Sequence, residues 1–359
     1  MRPRALTALM VAGFMSAAMG PGAAALAATP AAAAAYKVPL NVWGQPDLTG
    51  TWTNASLTTL TRAAVYGNRQ FMTPEEVAKI ESADAKEVAA GNAPTDPKVK
   101  TTDLPYACGR GFTGAGCGYN SGWIDPGTTV MRVHGQPLTS FITSTPDGKL
   151  PPYKAGFKPV ARGYAPSSMA HRADNPETMS LGERCVMSFG ASAGPVMLPL
   201  LYNNNYKIVQ SKDTVGIWVE MVHDVRLIHL NAQHRTDGLR PWMGDSIGHY
   251  EGNTLVVETT NFPKAQNLMG AWEQLKVTER FTPDGPGRIL YEFKAEDPTA
   301  WDTAWGGEYE FSQSKGIVYE YACHEGNYAL ADMLAGARAE EAAAAAKANP
   351  TTANAAVAH

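Results

Sequence analysis

The sequence predicts a mainly β protein, either an antiparallel eight-stranded barrel or a strongly curved sheet, with an N-terminal helix, a hairpin and long loops. Three observations predict this fold. From residue 197 onward, short stretches alternate apolar and polar side chains, which is the period of β-strands. Turn signals such as Glu251-Gly252-Asn253 separate these stretches. No helical pattern intervenes, so consecutive strands are expected to be neighbours in one up-and-down sheet.

The strand pattern gives eight segments. They are Tyr206–Gln210, Thr214–Val222, Val225–Leu230, Thr254–Thr260, Leu275–Phe281, Arg288–Lys294, Glu308–Phe311 and Ile317–Ala322. An eight-stranded barrel is wide enough to hold one small ligand. The strand region therefore predicts a binding protein or an enzyme for a small molecule.

The region before the barrel predicts one helix, one hairpin and one short strand. Thr73 can cap a helix, Pro74 suits its first position and Glu76 completes a capping box, so a helix is expected from there to about Ala90. The alternation from Thr129 to Thr145 around Gly135-Gln136-Pro137 predicts a β-hairpin. A short strand ending in Gly-x-Trp is expected within residues 46–53.

The two ends of the chain differ from the rest in composition. Two arginines, the apolar run Ala5–Gly20 and the small-x-small tripeptide Ala25-Leu26-Ala27 predict a cleavable signal peptide over residues 1–27. The apolar run is too short for a membrane anchor, which needs about 20 residues. We expect a flexible leader at 28–45, a loop-rich region at 46–185, the barrel-like domain at 186–336 and an Ala-rich tail at 337–359. The mature protein is expected in the periplasm or outside the cell, without a transmembrane segment.

The charge balance argues against a nucleic-acid partner. The chain has 34 acidic and 30 basic residues, for a formal net charge of −4. Phosphate binding needs clustered Lys and Arg, and no basic stripe is visible. The sequence also has no phosphate loop of the Gly-x-x-x-x-Gly-Lys-Ser/Thr type. The predicted partner is a small hydrophobic or aromatic molecule, and the oligomeric state is left open.

Four cysteines predict disulfides in an oxidising compartment. Cys108 and Cys117 enclose a short glycine-rich segment and are expected to pair. Cys185 and Cys323 would then pair over a long span and tie the start of the β region to its end. Four free thiols are the alternative, and a zinc site lacks the close Cys-x-x-Cys spacing.

Several segments carry a family resemblance. They are Tyr202–Tyr206, Glu220–Arg226, Gly244–Ser246, Glu251–Phe262 and Tyr319–Tyr328. Together they resemble a family of exported bacterial proteins, over roughly Arg184 to Glu340. The resemblance implies export and a β-rich fold, and it carries no catalytic assignment; Tyr250 replaces the family's usual Trp. The strand pattern and the early Gly-x-Trp are in addition similar, by analogy, to lipocalin-type (calycin-like) barrels.

The densest polar cluster lies at the turn after Thr214–Val222. It contains Glu220, His223, Asp224 and Arg226. A histidine beside a carboxylate can transfer protons near neutral pH, and an arginine can bind a carboxylate or a developing oxyanion. We therefore predict His223 as the base, oriented by Asp224, with Arg226 as its electrostatic partner. A turn stabilised by Asp224 and a surface ion pair is the structural alternative.

Three further groups are candidate acids or bases. Glu279 shares a strand face with apolar neighbours and is expected to point inward, as a general acid or as the partner of an inward arginine. Glu258 lies in a strand that is apolar on both faces and would also need a partner. His324 follows the last predicted strand and is a candidate acid or base at the barrel rim.

Neither a metal nor an organic cofactor is predicted. His223, His229, His234 and His249 cluster in the sequence, but their spacing matches no common ligand motif. Aromatic and amide side chains are the expected contacts for a flat, apolar ligand. The candidate binding residues are Asn205, Tyr206, Trp218 and Trp242.

These predictions lead to two functional hypotheses. The first is a periplasmic, cofactor-independent enzyme that hydrolyses, eliminates from or isomerises a small aromatic compound, such as a plant phenolic or aryl ether. The second is a non-catalytic carrier of a hydrophobic molecule, which satisfied carboxylates in a barrel would fit equally well. A structural envelope protein with a filled barrel is a third possibility.

Overall fold

The described part of the chain forms a closed β-barrel from one short early strand and eight strands after residue 204. The computed structural model describes residues 36–91, 94, 98, 100, 125–160, 173–188, 194–201 and 204–348. The predicted signal peptide and the Cys108–Cys117 pair lie outside the described residues. From Lys37 onward, the described residues belong to one compact unit.

The strands are numbered in chain order. They are β1 (Gly50–Thr53), β2 (Arg132–Val133), β3 (Gln136–Pro137), β4 (Asn205–Gln210), β5 (Thr214–Val219), β6 (Val225–Leu230), β7 (Asp245–Glu251), β8 (Thr254–Thr260), β9 (Lys276–Gly285), β10 (Arg288–Glu296) and β11 (Trp305–Gln313). Strands β2 and β3 pair as a separate hairpin. The other strands form a closed barrel in the spatial order β1-β11-β10-β9-β8-β7-β6-β5-β4.

The structure confirms the mainly β, barrel-like fold and corrects its strand count and direction. The described chain forms nine barrel strands rather than eight. Strands β6 and β7 run parallel, whereas the prediction was antiparallel throughout. The short strand expected near Trp52 is β1, and it closes the barrel because Trp52 pairs with Tyr206 of β4 and with Gln313 of β11.

Strand β7 was missed because its pattern is interrupted by a glycine. A Cβ atom at Gly248 would lie 2.9 Å from Ile228 Cγ2 and 3.1 Å from the Val256 carbonyl oxygen. Only glycine fits between these neighbouring strands. The residue that allows close strand packing thus weakens the alternation by which a strand is recognised.

The predicted strand Ile317–Ala322 is wrong. This segment is irregular, and Ile317 and Tyr319 are exposed. Because β1 already lies between β11 and β4, no barrel edge is left for it. The segment instead crosses the outside of the barrel, where the Tyr319 backbone N–H donates to Glu220 Oε1 at 3.1 Å.

The predicted helix is α1 (Pro74–Gly91). Its capping box is formed: the Thr73 N–H donates to Glu76 Oε2 at 2.8 Å, and the Glu76 N–H donates to Thr73 Oγ1 at 3.3 Å. A second helix, α2 (Tyr328–Ala348), begins before the Ala-rich tail and has no buried residue. No described helix has both the length and the apolar content to cross a membrane.

Aromatic side chains fill the barrel interior. Ring centroids lie 5.0 Å apart for Tyr291 and Tyr309, 5.1 Å for Phe281 and Tyr291, and 5.6 Å for Tyr206 and Phe311. All of these side chains are fully buried. The interior therefore serves as a packed core rather than as an open ligand pocket.

The segment 139–144 lies beside the start of β11, where Ile142 pairs with Gly307. A Cβ atom at Gly307 would lie 1.7 Å from the Phe141 carbonyl oxygen. The Gly306 N–H donates to Ser144 Oγ at 2.8 Å. This segment can approach β11 so closely because position 307 has no side chain.

Replacing Gly307 by alanine is expected to lower the free energy of unfolding. The added methyl group must push the 139–144 segment away from β11, and overpacking of this kind costs about 1–3 kcal/mol. Urea denaturation checks this. Gly326→Ala is the control, because no atom lies within 4 Å of a Cβ placed there. Equal stability of the two variants would contradict the proposed contact.

Candidate functional site

The parallel seam between β6 and β7 opens a cavity in the barrel wall. The two strands pair only through Ile228–Leu230 and Ser246–Gly248. The first half of β6 pairs with β5 on one side, and on the other side it lies beside the loop that leads into β7. Between them is a cavity of about 380 Å³. Its lining residues are Val186, Met187, Asp224, Val225, Arg226, Leu227, His229, Arg235, Pro241, Trp242, Met243, Gly244, Asp245 and Ser246.

The cavity combines apolar walls with a few polar groups. Val225, Leu227 and Trp242 are exposed, with 57%, 52% and 42% of their surface accessible. Met187 and Met243 are buried. Concave sites of this composition are typical of small-molecule binding.

Asp224 is a residue of the cavity wall whose pKa is strongly shifted. Burial raises the pKa of its carboxyl group to about 7, although the Ser188 N–H, which donates to Asp224 Oδ2 at 3.4 Å, acts in the opposite direction. Desolvation disfavours the charged form, and no cation in the described part of the chain offsets it. At neutral pH the group is therefore present in both protonation states.

A strained turn positions Asp224. The two residues before it, Val222 and His223, have φ values of 59° and 43°. This left-handed conformation is an outlier for a β-branched residue such as valine, and strained backbone of this kind clusters at functional sites. Buried Glu220 supports the turn, because it accepts hydrogen bonds from Asn205 Nδ2 at 2.7 Å and from the Tyr319 N–H.

His223 does not pair with Asp224 as predicted. Its Nδ1 lies 2.9 Å from the Tyr321 carbonyl oxygen. A carbonyl oxygen can only accept, so Nδ1 carries the hydrogen of this bond and Nε2 is the ring atom left to act as a base. The side chain is exposed. His223 thus anchors the segment that follows β11 to the turn.

Arg226 forms the back of the cavity and is bonded to groups inside the barrel. It donates to both carboxylate oxygens of Glu279, to Ser246 Oγ at 3.1 Å and to Thr259 Oγ1 at 2.9 Å. Glu279 Oε1 also accepts from the Tyr291 hydroxyl at 2.8 Å. Glu279 points inward as expected, and of its two predicted roles the structure shows the ion pair with an inward arginine.

The remaining predicted residues lie elsewhere. Glu258 is on the outer face, within 3.3 Å of His234 Nε2 and 3.5 Å of Lys276 Nζ. Tyr206 is in the barrel core and Trp218 is half-buried on β5. His324 is exposed, and its carbonyl oxygen accepts from the Asn327 N–H. Of the predicted residues, the cavity brings together Asp224, Arg226 and Trp242.

Sequence reasoning missed Asp245 and the methionines in the cavity wall. Asp245 Oδ2 accepts from the Arg235 N–H and from His234 Nδ1, each at 2.9 Å. Asp245 is the first residue of β7, a strand that the alternation of side chains did not reveal. Met187 gives no signal of its own, because it lies in an irregular segment.

The predicted long disulfide is confirmed and connects one wall of the cavity to the segment that contacts the turn before Asp224. Cys185 and Cys323 are bonded, with their Cα atoms 5.6 Å apart. Residues that follow Cys185 line the cavity and include Met187. Residues before Cys323 contact the turn through Tyr319 and Tyr321. The bond therefore restrains both segments that contact the Asp224 turn.

Replacing Glu279 by glutamine is expected to destabilise the protein strongly. The change leaves the Arg226 guanidinium buried without its counter-charge, which costs about 3–5 kcal/mol. Glu258→Gln is the matched control, since an exposed ion pair contributes about 0–1 kcal/mol. Free energies of unfolding in urea measure both. If both variants lose a similarly small free energy of unfolding, the buried Arg226 does not depend on Glu279 for its counter-charge.

Comparisons with known proteins add no assignment to this geometry. No protein-family description matches the chain, and a search of curated proteins finds no significant relative.

Proposed function

We propose that this protein is an exported, cofactor-independent enzyme that acts by acid–base chemistry on a small aromatic compound in the seam cavity. Asp224 is the proton-transferring group. The observation that carries this proposal is a carboxyl group half-buried in a small-molecule cavity by a strained turn. The proposed role of His223 as the base thus passes to Asp224.

The protonation state of Asp224 supports this role. General acid–base catalysis is most efficient when the pKa of the group lies near the working pH. A carboxyl group with a pKa of about 7 can both donate and accept a proton at neutral pH. This chemistry suits hydrolysis, elimination or isomerisation, and it needs no organic cofactor.

The cavity walls favour an aromatic ligand. Trp242 offers a partly exposed indole face for stacking, and Val225 and Leu227 add apolar surface. Plant-derived phenolics and aryl ethers are the substrate class that we propose. The disulfide between Cys185 and Cys323 fits an oxidising compartment such as the periplasm.

A carrier function is the second candidate. It is favoured by the exposed apolar rim of the cavity and by Arg226 being fully neutralised by Glu279. A carrier needs the cavity but not a titrating Asp224, so the Asp224→Asn variant separates the two functions.

The Asp224→Asn variant is expected to lose turnover by about 10²–10⁴-fold and to keep its fold. The asparagine oxygen can still accept the Ser188 N–H but cannot transfer a proton. The protein is incubated without cofactor with aryl ethers and phenolic dimers, and products are followed by mass spectrometry. Asp213→Asn is the control, because Asp213 is exposed in a turn outside the cavity.

Three outcomes of this assay are distinguishable. Turnover lost in Asp224→Asn and kept in Asp213→Asn supports the enzyme. If both variants keep their turnover, the chemistry takes place outside the cavity. Stoichiometric retention of one compound by both variants, without conversion, supports the carrier.

The pH dependence of stability tests the state of Asp224 independently of any substrate. Its pKa rises from an ordinary value of 3.8 to about 7 on folding, so the folded protein binds this proton more tightly than the unfolded chain. This group's contribution to the free energy of unfolding therefore falls as the pH rises from about 4 to 7, and is constant above that. The Asp224→Asn variant lacks this pH-dependent loss. Its free energy of unfolding, measured by urea denaturation, should therefore rise relative to that of the wild type as the pH increases from about 4 to 7. A pH-independent difference would contradict the raised pKa.

A further inference from the structure

A histidine and two carboxylates meet where the β2–β3 hairpin lies against β9 and β11, and none of them lines the seam cavity. His134 lies in the turn between β2 and β3, Asp284 near the end of β9 and Glu310 on β11. One ligand atom from each lies within 4.8 Å of the other two. The His134 Nδ1 and Asp284 Oδ2 atoms are 3.5 Å apart.

Glu310 and one carboxylate oxygen of Asp284 are buried at this point. Glu310 is only 8% exposed. Asp284 Oδ2 is inaccessible to solvent and accepts no hydrogen bond from any residue that the structure describes. The closest guanidinium nitrogen, Nη2 of Arg288, is 3.8 Å from Asp284 Oδ2 and donates instead to the Asp284 carbonyl oxygen at 2.7 Å. A buried carboxylate oxygen without a donor is costly, and a cation between the groups would remove this cost.

The hairpin turn directs His134 toward this point. His134 and Gly135 have φ values of 48° and 79°, a conformation in which two-residue hairpins favour Asn-Gly. The His134 backbone N–H donates to Glu310 Oε1 at 2.7 Å. This bond fixes the turn over β11 and places the imidazole beside Asp284.

We propose that His134, Asp284 and Glu310 bind one divalent transition-metal ion, with Zn²⁺ as the probe. The ligands are the imidazole Nδ1 and one oxygen of each carboxylate. An imidazole ligand favours Zn²⁺ over Ca²⁺ or Mg²⁺, which take oxygen ligands. Metal–ligand distances of about 2.0–2.2 Å require the three side chains to close in from their present spread.

Such an ion would connect the β2–β3 hairpin to the barrel. Its ligands come from three segments that are distant in the sequence, so it would bind the folded chain and not the unfolded one. Binding to the folded state alone raises its stability. The site is separate from the seam cavity, and its failure would leave the proposed acid–base function untouched.

Titration calorimetry with ZnCl₂ on the untagged full chain tests the site. One Zn²⁺ ion per chain is expected, with CaCl₂ binding much more weakly. His134→Asn and Glu310→Gln should each weaken Zn²⁺ binding by about tenfold or more, because changes in the outer shell of metal sites already cost about 10–100-fold. His134→Asn is chosen because asparagine is favoured in this left-handed turn. Thermal melts without metal check that both variants fold.

His249→Asn is the matched control. His249 also lies beside a carboxylate, with Nε2 3.2 Å from Glu251 Oε1, and is exposed. Zn²⁺ binding that survives in His249→Asn and is lost in the two site variants supports the proposal, as does a melting temperature raised by Zn²⁺ only when His134 is present. No stoichiometric binding, equal binding in all three variants, or equal binding of Ca²⁺ would overturn it.

Discussion

The ion pair between Arg226 and Glu279 joins β6 to β9 across the barrel interior, and the parallel seam depends on it. A buried ion pair is costly unless its hydrogen-bonding capacity is filled. Here Ser246, Thr259 and Tyr291, each on a different strand, fill it. A one-residue slip of a strand turns every side chain to the other face. The network therefore fixes the register of the strands on both sides of the seam, including the short parallel pairing that no hairpin turn specifies.

The cavity follows from that register. Because β6 and β7 pair over only a short stretch, the first half of β6 is left without a strand partner on this side. Arg226 lies there with its charge neutralised, so it closes the back of the cavity without attracting an anion strongly. Asp224, two residues earlier, is left as the perturbed acid of the site. The same network thus sets the shape of the cavity, in whose wall burial raises the pKa of Asp224.

Local sequence patterns predicted those features of the fold that depend on residues close together in the chain. The capping box at Thr73, the alternation that turns Glu279 inward and the strand at Trp52 all depend on residues within one element. The parallel pairing of β7 and the exclusion of Ile317–Ala322 from the barrel depend on which edges other strands already occupy. Similarly, His223 and Asp224 are adjacent in the chain, yet the turn directs them to different partners. The site at His134 was the least accessible to local patterns, because its proposed co-ligands Asp284 and Glu310 lie about 150 residues or more further along the chain.

The packed interior explains why both proposed sites lie in the wall and at the edge of the barrel. The interior of a barrel of about eight strands is just wide enough to be filled by side chains or to hold one small ligand. In this protein Tyr206, Phe281, Tyr291 and Phe311 face one another there, and the Tyr291 hydroxyl is bonded to Glu279. A ligand in the interior would have to displace aromatic rings and break the network that holds the seam. The proposed chemistry on a small molecule would therefore need a gap in the wall, and the cavity beside Asp224 brings a titratable carboxyl group and the Trp242 side chain together.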